Sequence, residues 1–199
     1  MPNKAFFVGD HPALDFLNTI AAPRGEIIEF IPDGGAYVAW LAAAALLEKS
    51  DAKELLGKFG KSSLNRVADE ARHLREWFRQ EIPELIGTRG MTADVVEKLN
   101  RILANDQAHH QLSGFGNHLI LRERHKVTEA QQLLVPIVQK IAELLTSTER
   151  LLIKRCANPS CTLWFYDRTK AHRRLFCSAA VCGNRAKVAA YRKRQQQSQ

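Results

Sequence analysis

The sequence lacks a hydrophobic run long enough to cross a membrane. Its most apolar stretch, residues 36–47, is rich in alanine and shorter than the ~20 residues that a membrane helix needs, so it predicts a buried helix. The N-terminus offers only a brief apolar run, residues 5–8, before Asp10 and Asp15 interrupt it, which argues against a signal peptide. We therefore expect a cytoplasmic protein with no membrane partner.

Sequence patterns of catalytic chemistry are also missing. The chain contains no G-x-S-x-G, no H-E-x-x-H and no dinucleotide-binding fingerprint. Residues 57–62 have some features of a phosphate-binding loop, but Leu55 stands where the first glycine is required and no strand precedes it. We therefore expect no enzymatic activity.

Cysteine is scarce, and acidic residues are almost absent from the C-terminal quarter. The 199 residues include four cysteines and carry a net charge of +8. Residues 150–199 hold all four cysteines and twelve Lys and Arg but a single acid, Asp167, whereas residues 1–149 have a net charge of −3. This division predicts a domain at 1–149, a basic module at 150–195 and a disordered tail at 196–199.

The first 149 residues predict a mainly helical domain with a small β-hairpin. Apolar residues recur at helical spacing after a predicted N-cap at Ser62 or Ser63. The turn sequence Ser-Gly-Phe-Gly at 113–116 separates two strand-like runs. The predicted helices lie near 12–20, near 36–48, after Ser50, from 62 to a bend or end at Pro83, after a cap at Thr92, and at 128–145. The last of these has a predicted capping box from Thr128 to Gln131 and a predicted bend at Pro136. The predicted strands lie at 6–8, 108–112 and 117–124.

The cysteine spacing is that of a structural zinc site. Cys156, Cys161, Cys177 and Cys182 form C-x4-C-x15-C-x4-C, two local pairs that can place four thiolates at tetrahedral corners. Buried reduced cysteines would not need this symmetry, two disulfides suit a secreted protein, and iron–sulfur clusters prefer other spacings. Four sulfur ligands leave no open position, so one zinc ion would be structural and not catalytic. His172 is a further, less favoured ligand.

A small treble-clef-like zinc finger ending in a basic helix is the fold that fits this module. The turn at Asn158 and Pro159 brings the first cysteine pair together, residues 162–167 have strand-forming composition, and residues 183–194 favour a helix. About 40 residues cannot bury enough core to fold alone, and zinc binding would supply the missing stability.

Cationic side chains are interleaved with the cysteines and indicate a nucleic-acid partner. On a helix, Arg185 and Arg192 share one face, Lys187 and Arg194 share the next, and Val188 and Ala189 would pack inward. Phosphate contacts are expected for most of these cations, with base contacts from a few. The candidate nucleic-acid-binding residues are Arg173, Arg174, Asn184, Arg185, Lys187, Arg192, Lys193 and Arg194.

Other readings of this basic module stay open. It could be an RNA-binding zinc module, although Trp164, Phe165 and Tyr166 fit the core of the small hairpin more simply than base stacking. It could instead be a protein-interaction or dimerisation module, or the basic helix could be only a solvated face. Duplex DNA is the partner that we expect.

The string from Cys156 to Arg194, which includes Cys182-Gly183-Asn184-Arg185, resembles the CGNR-type zinc finger. One departure is Leu175-Phe176, where a Trp is expected before the third cysteine; it changes a packing residue and leaves the ligands intact. The segment Leu14–Thr19 and the run near Trp40 resemble the ABATE domain, over about residues 6–146. Proteins with this pair of domains are described as stress-induced bacterial transcription regulators, and the resemblance implies that role.

A polar group on the first predicted helix is a candidate ligand pocket. Asp15, Asn18 and Thr19 lie at i, i+3 and i+4 and share a face; with Arg24 and Trp40 they could line the site of a small-molecule effector. The alternative, helix capping and buried polar groups satisfied within the domain, fits them equally well. The histidines of the hairpin region fit surface positions better than a second metal site. A small-molecule effector and a second copy of the chain, in a homodimer, are further partners that the sequence allows.

Overall fold

A computed structural model of the chain describes residues 5–22, 26–87 and 91–197. This part is mostly helical with small antiparallel hairpins, which confirms the predicted fold class. The α-helices are α1 (Pro12–Leu17), α2 (Gly34–Ala43), α3 (Lys49–Lys58), α4 (Lys61–Leu85), α5 (Ala93–Leu103), α6 (Val135–Thr146) and α7 (Asn184–Gln197). Short 3₁₀ turns lie at Ala130–Leu134 and Arg150–Leu152, and a π-helical turn at Ala179–Gly183.

The strands form three antiparallel pairs within the described residues. They are β1 (Ile20–Ala21) with β2 (Ile28–Glu29), β3 (Ala108–Phe115) with β4 (His118–His125), and β5 (Ile153–Arg155) with β6 (Trp164–Tyr166). The strand predicted at residues 6–8 is absent: these residues form no regular secondary structure. None of the helices in the described ranges is long and apolar enough to cross a membrane.

Helix α4 forms the centre of the helical region. Its apolar stripe, which includes Leu64, Val67, Ala71, Leu74 and Phe78, is buried as the periodicity predicts. The helix packs against α2, α1 and the turn at Ala130–Leu134. It therefore carries the core on which the N-terminal segment rests.

Arg75 is a buried cation on α4. Its side chain is only 2% exposed, and its guanidinium donates to both carboxylate oxygens of Glu29 at 2.8 and 2.6 Å. It also donates to Glu76 Oε1 and to Thr19 Oγ1. These bonds satisfy a charge that would otherwise be costly to bury, and they tie α4 to β2 and to the end of α1.

Some helix boundaries follow the predicted caps and others do not. Thr92 accepts from Val95 N, which confirms its cap. Ser50, Ser62 and Ser63 lie inside helices that begin one or two residues earlier, at Lys49 and Lys61, without a side-chain cap. Their prediction as caps was wrong, because each helix begins before its serine and the N-cap positions are Glu48 and Gly60.

The capping box before α6 lies one residue later than predicted. Glu129 and Gln132 form it, because the Gln132 amide oxygen accepts from the backbone of both Thr128 and Glu129. The bend predicted at Pro136 is absent. Pro136 lies in the first turn of α6, where proline is tolerated.

Strand β6 of the C-terminal region packs against the helical region. Side chains alternate across a strand, so Trp164 and Tyr166 join the core of the helical region, while Leu163 and Phe165 pack with the four cysteines. Backbone hydrogen bonds run from Tyr166 N to Gly9 O at 2.7 Å and from Asp167 N to Leu152 O at 2.9 Å. The region predicted as a separate module is therefore packed on the helices by one face of its hairpin.

Candidate metal centre and basic helix

The four cysteines come together at one point. Cys156 follows β5, Cys161 precedes β6, Cys177 lies in a loop and Cys182 lies in the π-helical turn. Their sulfur atoms all lie within 4.8 Å of one another, and none forms a disulfide. The Sγ atom of Cys177 is 3.7 Å from that of Cys161 and 3.6 Å from that of Cys182. Tetrahedral zinc at ~2.3 Å from each sulfur requires about 3.8 Å between sulfurs, so the donor set fits zinc.

The electrostatics of the cluster favour a bound cation. The hydrogen bond from Cys177 lowers the pKa of Cys161 to about 5. The same bond, together with burial and the charge of neighbouring thiolates, raises the pKa of Cys177 well above its usual value, and burial raises the pKa of Cys182 to about 11. Four thiolates this close repel one another unless a divalent cation lies between them.

An apolar shell closes the cluster. Leu163 and Phe165 of the finger pack against it with Ala21, and Phe6, Val8, Phe30 and Phe176 lie partly buried around it. Cys177 N also points to Cys156 Sγ at 3.5 Å. With four sulfur donors and apolar surroundings, a zinc ion here would have no open coordination position, so its role would be structural.

The histidines do not join the metal centre. His172 is exposed, with a positive φ of 50°, and its Nδ1 lies 3.2 Å from Asp167 O. Among the described residues, the cysteine cluster is the one group of three or more His, Cys, Asp and Glu side chains close enough to share an ion. The hairpin histidines therefore fit the surface positions that the sequence favours.

Asp167, the single acid of the basic region, is buried. It is 0% exposed and accepts from Lys154 Nζ at 2.7 Å, Thr169 Oγ1 at 2.6 Å and Arg174 N at 2.9 Å. Burial acts to raise the pKa of Asp167, but these donors outweigh it and hold the pKa well below its usual value. The acid neutralises Lys154 internally and leaves the outer surface of the finger to its cations.

Arg174 is engaged within the protein. Its guanidinium donates to Cys177 O at 2.6 Å, Phe176 O at 3.0 Å and Val8 O at 3.2 Å. It also pairs with Asp10 and lies 4.3 Å above the Phe165 ring. This predicted nucleic-acid contact therefore joins the N-terminal segment to the loop that carries the third cysteine. Arg173, its neighbour, is exposed.

Helix α7 begins two residues after Cys182 and presents the remaining cations to solvent. Asn184, Arg185, Lys187, Arg192, Lys193 and Arg194 are all exposed, and the Asn184 amide donates to Ala180 O at 3.1 Å. Val188 is 50% exposed and Ala189 is also exposed. The predicted inward face was therefore wrong, because α7 leaves the finger after Gly183 and packs mainly on the π-helical turn.

The polar residues predicted as a ligand pocket are bonded to the protein itself. Asp15 Oδ1 accepts from Gly9 N at 2.8 Å, and Thr19 Oγ1 donates to Phe16 O and accepts from Arg75. Trp40 packs against Phe16 with ring centroids 5.6 Å apart. Arg24 lies outside the described residues. These contacts match the alternative of buried polar groups, and the pocket itself stays a prediction.

Asn18 has the most informative contacts of this group. It is 0% exposed, its Nδ2 donates to Trp164 O at 2.9 Å, and its Oδ1 accepts from Trp164 N at 2.9 Å. The side chain thereby pairs with β6 as a further strand would. Sequence reasoning missed this role, since nothing in a local pattern links residues 146 positions apart.

A cavity of about 470 Å³ lies where the two regions meet. His11 and Glu143 line it from the helical region, and Tyr166, Arg168 and His172 line it from the finger. Tyr166 donates to Glu149 Oε2 at 2.8 Å in its wall. Its polar and charged lining suits a small polar molecule better than an apolar one.

The geometry defines a zinc-finger protein whose finger carries an exposed basic helix and rests on a helical region. Residues 10–148 match the model of the ABATE family, described as "Putative stress-induced transcription regulator". Residues 152–195 match the CGNR zinc finger. The chain belongs to the ABATE family and carries a CGNR zinc finger, which confirms both resemblances. A search of curated proteins finds no match.

Proposed function

We propose that this protein is a bacterial, cytoplasmic transcription regulator that binds duplex DNA through α7 and has no enzymatic activity. The observation that carries the proposal is the exposed cationic helix attached directly to the last cysteine of a closed metal centre. Beyond Asp167 the chain contains no acidic residue, so a negatively charged polymer would meet no repulsion along α7.

The zinc ion would be held by Cys156, Cys161, Cys177 and Cys182 and would supply a structural cross-link. The chain's own residues do the binding. Arg192 and Lys193 are placed to neutralise phosphates, while Asn184, Arg185 and Lys187, on the first turn of α7, are the candidates for base contacts in the major groove. Because the Arg174 guanidinium is bonded to protein groups, its contribution is to position the loop that holds Cys177.

The salt dependence of DNA binding tests the role of α7. We expect the triple variant Lys187→Gln/Arg192→Gln/Lys193→Gln to bind duplex DNA at least tenfold more weakly at low salt. The slope of log affinity against log salt should fall by about 2, because Arg192 and Lys193 are the proposed phosphate contacts and each one lost removes roughly 0.9 from it. Fluorescence anisotropy with a labelled duplex measures both quantities.

The matched control is Lys53→Gln/Lys61→Gln/Arg66→Gln, which removes the same charge from exposed positions of the helical region. It should keep the wild-type slope. Equal losses in the two triple variants would reduce the effect to net charge and contradict a binding surface on α7.

Competition experiments and the same triple variant distinguish duplex DNA from RNA and protein partners. Competition by structured or single-stranded RNA that exceeds competition by duplex DNA would make the finger an RNA-binding module. Unchanged nucleic-acid affinity together with a changed oligomeric state would make α7 a protein-interaction surface. The buried positions of Phe165 and Tyr166 support DNA over base-stacking RNA recognition.

The sensing role of the helical region is the second part of the proposal. The cavity at the junction is its best-supported site, because a small polar effector there would contact both regions at once. Thermal unfolding of the zinc-loaded protein with a panel of amino acids, carboxylates and amines tests it. We expect a rise in Tm with at least one class that is lost in Arg168→Ala; no rise with any class would contradict this site.

A further inference from the structure

The hairpin β3–β4 is exposed on both faces and along both edges. Every residue of β3 and all of β4 except Arg124 are exposed, and β3 and β4 form a sheet of two strands. Its large apolar side chains are open to solvent, namely Leu112 (61% exposed), Phe115 (93%), Leu119 (58%), Ile120 (49%) and Leu121 (65%). A lone two-stranded hairpin is at best marginally stable in water, so a partner surface would stabilise this one.

The two faces of the hairpin differ in chemistry. In the observed register Leu112 lies opposite Leu121, and Gly114 opposite Leu119, so three leucines occupy one face. The other face pairs Gln111 with Arg122 and Ser113 with Ile120, and it carries Phe115 next to the turn. The leucines are therefore clustered on one face only, and neither face is covered by the helical region.

The two edges differ as well. Strand β3 (Ala108–Phe115) contains no Lys, Arg, Asp, Glu or Pro, whereas β4 carries Arg122, Glu123 and Arg124 in succession. Charged residues and proline are the usual protection of an edge strand against pairing with another chain. The β4 edge is protected in this way and the β3 edge is open.

We propose that β3 pairs with β3 of a second copy of this chain. Antiparallel strands related by a two-fold axis need that axis perpendicular to the sheet, so both copies turn the same face to the same side. Leu112 then lies opposite Leu112 of the second copy, and Gln111 opposite its Ser113. The product is a four-stranded sheet whose six leucines share one face, without a charged residue at the new edge contact.

Charge favours a second copy over nucleic acid as the occupant. Two β3 strands bring no like charges together, and the leucine face gives a phosphate backbone nothing to bind. An edge of eight residues is ~27 Å long and buries less than the ~800 Å² per partner of a standard interface. We therefore expect a weak dimer, with a Kd on the order of 1–100 μM.

Sedimentation equilibrium of the full zinc-loaded chain without DNA tests the dimer. Wild type should pass from monomer to dimer between about 1 and 300 μM. Leu112→Glu should weaken dimerisation at least tenfold, since two carboxylates would meet at the axis. Ile120→Glu, the same change on β4 and on the other face, should leave it intact.

A mixture of two variants with opposite charges distinguishes a lost interface from a misfolded hairpin. Leu112→Lys should also be monomeric, and an equimolar mixture of Leu112→Glu and Leu112→Lys should recover the dimer, because opposite charges then meet at the axis. Three results would overturn the proposal: a wild type that stays monomeric at 300 μM, no recovery in the mixture, or hairpin variants that lower DNA affinity without changing the mass. The mass is measured without DNA, so this proposal and the proposed function fail independently.

Discussion

At the scale of residues, Asn18 joins the helical region to the finger. Both of its amide atoms bond the backbone of Trp164 in a fully buried setting, where unpaired polar groups cost the most. Arg174 joins the two regions from the other side through Asp10 and Cys177 O. These two side chains add polar links to the apolar packing of Trp164 and Tyr166 between the finger and the helices.

Asn18→Ala should destabilise the zinc-loaded protein by about 2–4 kcal/mol, because it leaves the N–H and C=O of Trp164 buried without partners. Urea unfolding followed by circular dichroism gives the free energy of unfolding. Asn100→Ala, an exposed asparagine on α5, is the matched control and should change it by less than about 0.5 kcal/mol. Similar costs in the two variants would contradict the role of Asn18.

Asp15 should give the protein a distinctive pH dependence. Burial raises the pKa of Asp15 from 3.8 to about 6 in the folded state. Between these values the folded protein holds a proton that the unfolded chain releases, so this group's contribution to stability falls as pH rises from 4 to 6. Above pH 6 the buried carboxylate is ionised and destabilises the fold.

Asp15→Asn should remove that penalty and keep an oxygen that accepts from Gly9 N. The free energy of unfolding of the variant relative to wild type should grow by about 1–3 kcal/mol between pH 4.5 and 7.5. The cysteines titrate in both proteins, so the difference cancels their contribution. A difference that stays constant across this range would rule out a raised pKa for Asp15.

At the scale of elements, β6 couples the metal centre to the helical core. One face of the strand packs on the sulfur cluster and the other on the helices. Loss of the metal should therefore lower the local stability of the finger and also of the segment that bonds to β6, which includes Gly9 and Asn18.

Chelation of zinc should accelerate amide hydrogen exchange at 153–166 and also at 8–19. The amides of α5 should be unaffected, because this helix packs mainly on α6 and has no main contact with the strands of the finger. Exchange measured by mass spectrometry before and after addition of a chelator reports on both segments. Acceleration limited to the finger would show that the two regions are independent, and acceleration everywhere would show a single cooperative unit.

At the scale of the whole molecule, the finger is part of one packed structure with the helices, and α7 projects from it. Helix α7 contacts mainly the π-helical turn that carries Cys182, so the proposed DNA surface is attached to the metal centre and, through β6, to the helical region. An effector at the junction cavity would act on DNA binding through these contacts.

The sequence predicted the metal centre well because its ligands lie close together in the chain at a spacing that zinc geometry constrains. The long amphipathic helix and the hairpin were equally accessible, since periodicity and turn residues report on local structure. What the sequence did not predict were Asn18, Arg174 and Asp167 in their actual roles. The role of each depends on a partner that is distant in the chain and that folding brings close. The local sequence around an exposed residue of the same type would show the same pattern.

The metal dependence of DNA affinity tests the central claim most directly. The protein is stripped with a chelator, its zinc restored in steps, and duplex affinity measured by anisotropy at fixed low salt alongside zinc content. We predict that affinity rises in proportion to bound zinc and saturates at one zinc per chain, because the cysteines then hold the start of α7. DNA binding that is equally strong without zinc, or saturation with no zinc bound, would contradict the account.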